Sequence, residues 1–194
     1  MANARFSIAP AYYTGSEVTP EVTVTHSGKT LVKDRDFIVT YHNNIEPSSY
    51  YNSPWVGIDG IGNYQGYVTK SFTINRADIS SCRVTLSDES LTYTGSSLRP
   101  TVTVKSGDKE LTLNQDYYVS YRNNWDAGTA SAILTGTGNY TGSVTKDFTI
   151  KPLDISRYSA SLSQYSYTSD GTEKCPNVTV TYGDKTLAAG TDFT

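Results

Sequence analysis

Lys70 and Lys146 are the residues of this chain most readily placed for chemistry. By strand alternation Lys146 shares a face with Val144, Phe148 and Ile150, and Lys70 with Val68, Phe72 and Ile74. A lysine among apolar side chains has two uses. It can lay its methylenes along the sheet and carry its ammonium to the rim. It can also attack a carboxamide and expel ammonia, leaving an isopeptide cross-link. Asn139 or Asn124 would then be the acceptor and Asp116 the proton shuttle, and all three residue types recur in the first half of the chain. Snorkelling is the simpler expectation, because it requires no third group in register.

The remaining reactive side chains are sparse. The two histidines, His26 and His42, align with Ser106 and Arg122 elsewhere in the chain. Neither stands in a cluster of the kind that a zinc site or a nucleophile–base pair requires. Asp34, Asp36, Asp88 and Glu89 are isolated acids of turns, not the dense oxygen run of a calcium loop. Gly60-Ile-Gly-Asn-Tyr-Gln-Gly66 and Gly136-Thr-Gly-Asn-Tyr-Thr-Gly142 have the glycine density of a phosphate loop. A phosphate loop runs into a helix, whereas strand-like sequence follows both of these, so they are expected to be hairpins. No catalytic group, metal or cofactor is therefore expected.

Flat aromatic residues offer a binding chemistry instead. Trp55 and Trp125 have no counterparts at matching positions, and Trp55 lies close to Tyr50 and Tyr51 in a Ser/Tyr/Pro-rich loop. Exposed rings can stack on sugar rings, which makes these four residues candidates for binding a host glycan or protein. Contact with a neighbouring module of the same chain is the simpler expectation for such rings.

These residues sit in a sequence that repeats. Tyr13-Thr-Gly, Pro20-x-Val-Thr-Val, Leu31, Asp36-Phe and Tyr41-x-Asn-Asn return 80 residues later, from Tyr93 to Asn124. Gly62-Asn-Tyr through Phe72-Thr-Ile returns at an offset of 76. The difference is an insertion between Asn44 and Gly62. A third pattern starts after Ile155. Units are expected at 1–79, 80–155 and 156–194, the last about half a unit. Within the second unit, Arg83–Leu86, Pro100–Ser106, Tyr117–Asn123, Ala130–Gly136 and Val144–Ile150 alternate apolar and polar residues and are rich in Val, Thr, Tyr and Ile. Turn formers separate them. The expectation is an all-β protein of tandem immunoglobulin-like antiparallel β-sandwiches, six or seven strands each.

Most repeated residues have structural roles in that scheme. Gly15/Gly95 and Gly66/Gly142 suit turns of positive φ. Asp36, Asp116 and Asp192 precede an aromatic residue at a strand start, where a side-chain bond closes a turn. Tyr41 and Tyr121 should point inward. Cys82 and Cys175 fall a module apart and are expected to be unpaired, unless modules fold back or chains pair. The linkers Ile74–Ile79 and Ile150–Ile155 both end in Asp-Ile before a serine and lack glycine, so limited bending is expected, with Ile79, Leu153 and Ile155 burying against the next module. The half unit cannot close a core by itself and is expected either to be disordered or to borrow strands from a second molecule.

The run Tyr-Thr-Gly, Pro-x-Val-Thr-Val, Leu-x₄-Asp-Tyr/Phe-x-Val-x-Tyr-x-Asn-Asn, Ala-Gly-Thr-Ala, Gly-x-Gly-Asn-Tyr-x-Gly and Lys-x-Phe-Thr-Ile resembles bacterial immunoglobulin-like cell-surface repeats of the MBG/YDG type. Residues 80–155 carry the pattern almost completely. The first unit departs at Ile45–Pro54 and the third at Tyr167–Gly171. The resemblance implies an extracellular spacer, stalk or adhesin segment, at the bacterial surface or cell wall.

Charge and composition agree with that class. The 194 residues carry 16 Lys+Arg against 19 Asp+Glu, for a formal charge of −3. There is no basic stripe for nucleic acid and no apolar run for membrane insertion. The start lacks the pattern of a signal peptide and the third unit breaks off, so the chain is expected to be an excerpt of a longer secreted protein. The sequence reading is thus a non-enzymatic stalk. The alternative is an adhesin or glycan-binding module using the aromatic residues of the first unit.

Overall fold

The computed structural model describes residues 4–194. The described chain is all-β, apart from two short 3₁₀ turns at Ile79–Ser81 and Ile155–Arg157. Strands form where β-branched and aromatic residues alternate with polar ones, as in Val22-Thr-Val-Thr-His26 and Val102-Thr-Val-Lys-Ser106. Observed strands at Arg83–Leu86, Val102–Ser106, Tyr117–Arg122, Gly128–Gly136 and Ser143–Lys151 follow the predicted segments closely.

The sheets are small and separate, with two to four strands each. One three-stranded arrangement occurs three times. Ala4–Ile8 pairs antiparallel with Val22–His26, which pairs with Lys29–Thr30. Arg83–Leu86, Val102–Ser106 and Lys109–Glu110 do the same, as do Ser159–Leu162, Val178–Tyr182 and Lys185–Thr186. The registers correspond: Ile8 faces Val22, Leu86 faces Val102 and Leu162 faces Val178.

A second arrangement occurs twice. Phe37–His42, Trp55–Gly60 and Tyr67–Ser71 form one antiparallel sheet. Tyr117–Arg122, Gly128–Gly136 and Ser143–Lys151 form its counterpart. Pairing is not wholly antiparallel. Ser90–Thr92 adds parallel to Thr149–Lys151, and Ala11–Tyr12 adds parallel to Ile74–Asn75.

Residues repeated in the sequence hold the turns. Asp36, Asp116 and Asp192 each accept a bond at 2.8 Å from the backbone N–H four residues back, on Val32, Thr112 and Ala188. In Tyr-x-Asn-Asn, the first Asn takes φ of 55° at Asn43 and 53° at Asn123, a region that asparagine tolerates. The second Asn is buried, and its amide donates to Val18 O in one copy and Leu98 O in the other. The hydroxyls of Tyr41 and Tyr121 donate at 2.6 Å to Pro20 O and Pro100 O. They tie the second arrangement to the loop before the Val22 and Val102 strands.

Val22, Val24, Leu31, Phe37, Val56 and Ile58 make one core, packed by Phe6, Val39, Tyr41 and Phe72. The larger core does not stop at residue 79. It joins Ala11, Tyr13, Ile74 and Ile79 to Val84, Val104, Leu111, Tyr117, Leu134 and Tyr140. The third three-stranded arrangement is open by comparison. Val180 is buried, but Val178 is 45% exposed, whereas its counterparts Val22 and Val102 are buried.

Candidate functional site

The insertion between Asn44 and Trp55 forms a pinned loop. The Asn52 side-chain amide donates to the carbonyls of Glu46 (2.8 Å), Pro47 (3.3 Å) and Asn43 (3.5 Å). Ser49 Oγ accepts from the backbone N–H groups of Tyr51 and Asn52, and Ser49 N donates to Asn52 O. At its base, Ser48 N donates to Ile74 O and Ile74 N donates to Ser48 Oγ, both at 2.9 Å. A loop held this way loses little further backbone entropy when a partner binds.

This scaffold presents two bare rings. Tyr50 is 93% and Tyr51 94% exposed. Their rings meet edge to face, with centroids 5.1 Å apart and an interplanar angle of 88°. An aromatic ring buries 150–250 Å² when covered, so two fully exposed rings offer a large gain to a partner that covers them. Tyrosine also supplies a hydroxyl for hydrogen bonding to a polar ligand.

The other two aromatic candidates stand differently. Trp55 is half-buried, and His42, opposite it in the strand register, stacks on its ring at 3.8 Å and 12°. One face of the indole is therefore occupied by the protein itself. Trp125 is 59% exposed, and the described contacts do not join it to the Tyr50–Tyr51 pair. Sequence reasoning missed His42 as the partner of Trp55. The signal was available in register, since the first strand of a hairpin sheet ends opposite the start of the second.

The cross-link candidates are not brought together by their hydrogen bonds. Lys70 is exposed and its ammonium lies 5.4 Å from the centre of the Phe6 ring. Lys146 is also exposed. The Asn139 amide donates to Glu46 Oε2 at 2.6 Å, the Asn124 amide is spent on Leu98 O, and the Asp116 carboxylate accepts from Thr112 N. Among the described residues, no group of three or more His, Cys, Asp or Glu is placed to hold a metal ion. No described helix is long and apolar enough to cross a membrane.

Glu46 links the loop to a second feature, the junction near residues 74–79. Tyr140–Thr141 pairs parallel with Ala77–Asp78, and Ala77 N donates to Asn139 O at 3.0 Å. The Tyr140 ring meets Tyr13 edge-on at 5.7 Å. Ile79 is completely buried, as expected for a docked linker, whereas its counterpart Ile155 remains 45% exposed. Burial raises the pKa of the Tyr140 hydroxyl and of the nearby Cys82 thiol above their ordinary values. A thiol pushed in that direction is a poor nucleophile at neutral pH. Cys82 and Cys175 are both free.

In comparisons with known proteins, no family model, curated protein or solved structure matches this chain.

Proposed function

We propose that this chain is a non-enzymatic spacer of a bacterial cell-surface protein, built from tandem immunoglobulin-like sandwiches of the MBG/YDG type that hold a distal part away from the cell. The units would be 1–79, 80–155 and a partial third over 156–194. In each complete unit the three-stranded and hairpin arrangements would be the two faces of a sandwich.

One observation carries the spacer reading: the approach of Lys109 to Gly15 across the first linker has a counterpart in the approach of Lys185 to Gly95 across the second. A methyl group at Gly15 would lie 3.9 Å from Lys109 Cδ, and one at Gly95 would collide with the Lys185 ammonium. Lys185 Nζ donates to Thr94 O. Tyr13 N donates to Asn75 O, and Tyr93 N donates to Lys151 O. Asp78 caps Ser80 N and Asp154 caps Ser156 N, both at 2.9 Å. A head-to-tail contact that reproduces itself propagates as a regular array and not as a closed oligomer. Small-angle X-ray scattering on the intact chain tests this. A single elongated particle of constant cross-section is expected. Scattering that requires a broad mixture of bent and straight forms contradicts the spacer reading.

A second reading rests on the nearly complete exposure of Tyr50 and Tyr51 on a pinned loop. In it, the loop is an adhesive site for a host glycan or protein. A glycan array probed with the intact chain and with the Tyr50→Ala/Tyr51→Ala double variant tests it. Binding lost in the variant supports the reading, and no binding by the parent chain removes it.

A further inference from the structure

The two copies finish the same sheet edge with connections of different length. Ile8 and Leu86 are equivalent, because they face Val22 and Val102, and Ala11 and Leu91 are equivalent, because they pair with Ile74 and Ile150. Ser87-Asp-Glu-Ser90 joins them in the second copy, and only Ala9-Pro10 in the first. The longer connection reaches the last strand: Thr149 N donates to Glu89 O at 2.9 Å, and Leu91 packs on the core of Ala130, Phe148 and Ile150. The shorter one leaves Thr73 N, the counterpart of Thr149 N, without a hydrogen-bond partner among the described residues. Phe148 is 2% exposed, whereas Phe72 is only half-buried. What remains is a groove of about 410 Å³ whose walls include Phe6, Ile8, Pro10, Lys70, Phe72 and Thr73. It is set by a connection inside the chain; Ala4 lies at the far end of its strand, opposite His26.

We infer that this groove binds a small amphipathic carboxylate, an aryl- or alkyl-carboxylic acid in its ionised form. The apolar body of the ligand covers Phe6, Ile8 and Phe72, and its carboxylate pairs with the Lys70 ammonium. The free Thr73 N–H is a second donor on the groove wall for a polar atom of the ligand. The volume falls within the range of small-molecule sites, about 300–1,000 Å³, and so does the mixture of apolar walls with a few polar groups.

Charge complementarity selects the occupant. The Lys70 ammonium lies 5.4 Å from the centre of the Phe6 ring, and no described carboxylate lines the groove. The two ion pairs among the described residues, Arg35–Asp36 and Lys174–Asp170, do not involve it. In the second copy the connection itself carries two acids, Asp88 and Glu89; Ala9-Pro10 carries none. A single cation suits one negative charge, and the ring beneath it suits an apolar neighbour. An added strand is not the occupant, since Ala11–Tyr12 already pairs with Ile74–Asn75 and Pro10 has no N–H to offer. Neither the spacer reading nor the loop reading enters this inference, and each can fail without the other.

The experiment is a titration of the isotope-labelled 194-residue chain with 4-phenylbutyrate, followed by backbone amide shifts. Saturable shifts at residues 6–10 and 70–75 are expected, with Kd on the order of 2 mM for so small a ligand. The uncharged 4-phenylbutanamide should bind about threefold more weakly, and Lys70→Met should weaken phenylbutyrate by a similar factor, as for a solvent-exposed ion pair. Lys70 is exposed, so its replacement leaves the fold in place. An end-capped peptide of residues 87–90, which has the acids but no apolar body, should bind more weakly than phenylbutyrate. Absence of shifts at 6–10 and 70–75 up to about 20 mM ligand overturns the proposal. So does equal binding of the amide or by the Lys70→Met chain. Tighter binding of the peptide also overturns it, and would make the groove a polypeptide site.

Discussion

Tyr13 and Tyr140, 127 positions apart in the chain, pack edge to face at 5.7 Å inside a core that continues through the linker between them. The linker itself contributes Ile74 and Ile79, both buried. Bending at residues 74–79 would therefore have to open an apolar core, not merely rotate a backbone bond. This is the physical content of a stiff connection: its resistance comes from burial, which also gives stability to the parts it joins.

Replacing Tyr140 by alanine empties the centre of that junction. The expected loss is about 3 kcal/mol, as for other large aromatic-to-alanine changes in cores. Denaturant titration with parallel scattering checks it. The variant should unfold earlier and sample more bent forms, while Tyr50→Ala, at an exposed ring, should shift stability by less than about 0.5 kcal/mol.

Tyr121→Phe keeps the ring and removes one hydroxyl. The carbonyl of Pro100 then loses its 2.6 Å donor. A loss of about 1 kcal/mol is expected, and Tyr41→Phe should repeat it through Pro20. Thermal unfolding of the two single variants and the double variant should show additivity, since the sites lie in different cores.

The pH dependence of stability has two limbs. Asp36 is held below the ordinary carboxylate value, first by its bond from Arg35 and then by the Val32 N–H. Asp78 and Asp154 are lowered chiefly by the backbone N–H groups of Ser80 and Ser156. A depressed folded pKa contributes stability above the unfolded value near 4, and that contribution is lost as pH falls through the folded value. Burial raises Tyr41, Tyr117, Tyr121 and Tyr140. Their contribution is present below the ordinary tyrosine value of about 10 and is lost as pH rises through the raised one. Denaturation midpoints across pH should form a plateau between these limits. Asp36→Asn should reduce the slope of the acid limb alone.

His42 covers one face of Trp55 at 3.8 Å. His42→Ala should uncover it, and acrylamide quenching of Trp55 fluorescence, measured with Trp125→Phe to isolate the signal, should rise. Unchanged quenching would mean that the stack does not shield the indole in solution.

What the sequence disclosed depends on the range of the interaction. The aspartates at 36, 116 and 192 were legible as turn closers because their partners are four residues away. The strands around Val102 and Tyr117 were legible because alternation is a local pattern. The short parallel additions of Ala11–Tyr12 and Ser90–Thr92 were not, since two or three residues give no period. The Gly-Asn-Tyr turn was rightly read as a hairpin, but Tyr140 looked like a turn residue. Its burial depends on Tyr13 and Ala77, far away in sequence. The exposed rings of the inserted loop were legible in its composition, but the stacking of His42 on Trp55 was not. Tyr50 and Tyr51 stand open, while Trp55 spends a face on His42.

The central claim is that residues 4–79 and 80–151 move as one body through a buried linker. Residual dipolar couplings of the full chain in a dilute aligned medium measure this directly. One alignment tensor is predicted to fit both segments, with equal magnitude and orientation. Two tensors of clearly different magnitude, at unchanged Ile79 burial, would show that the segments reorient independently and would contradict the account.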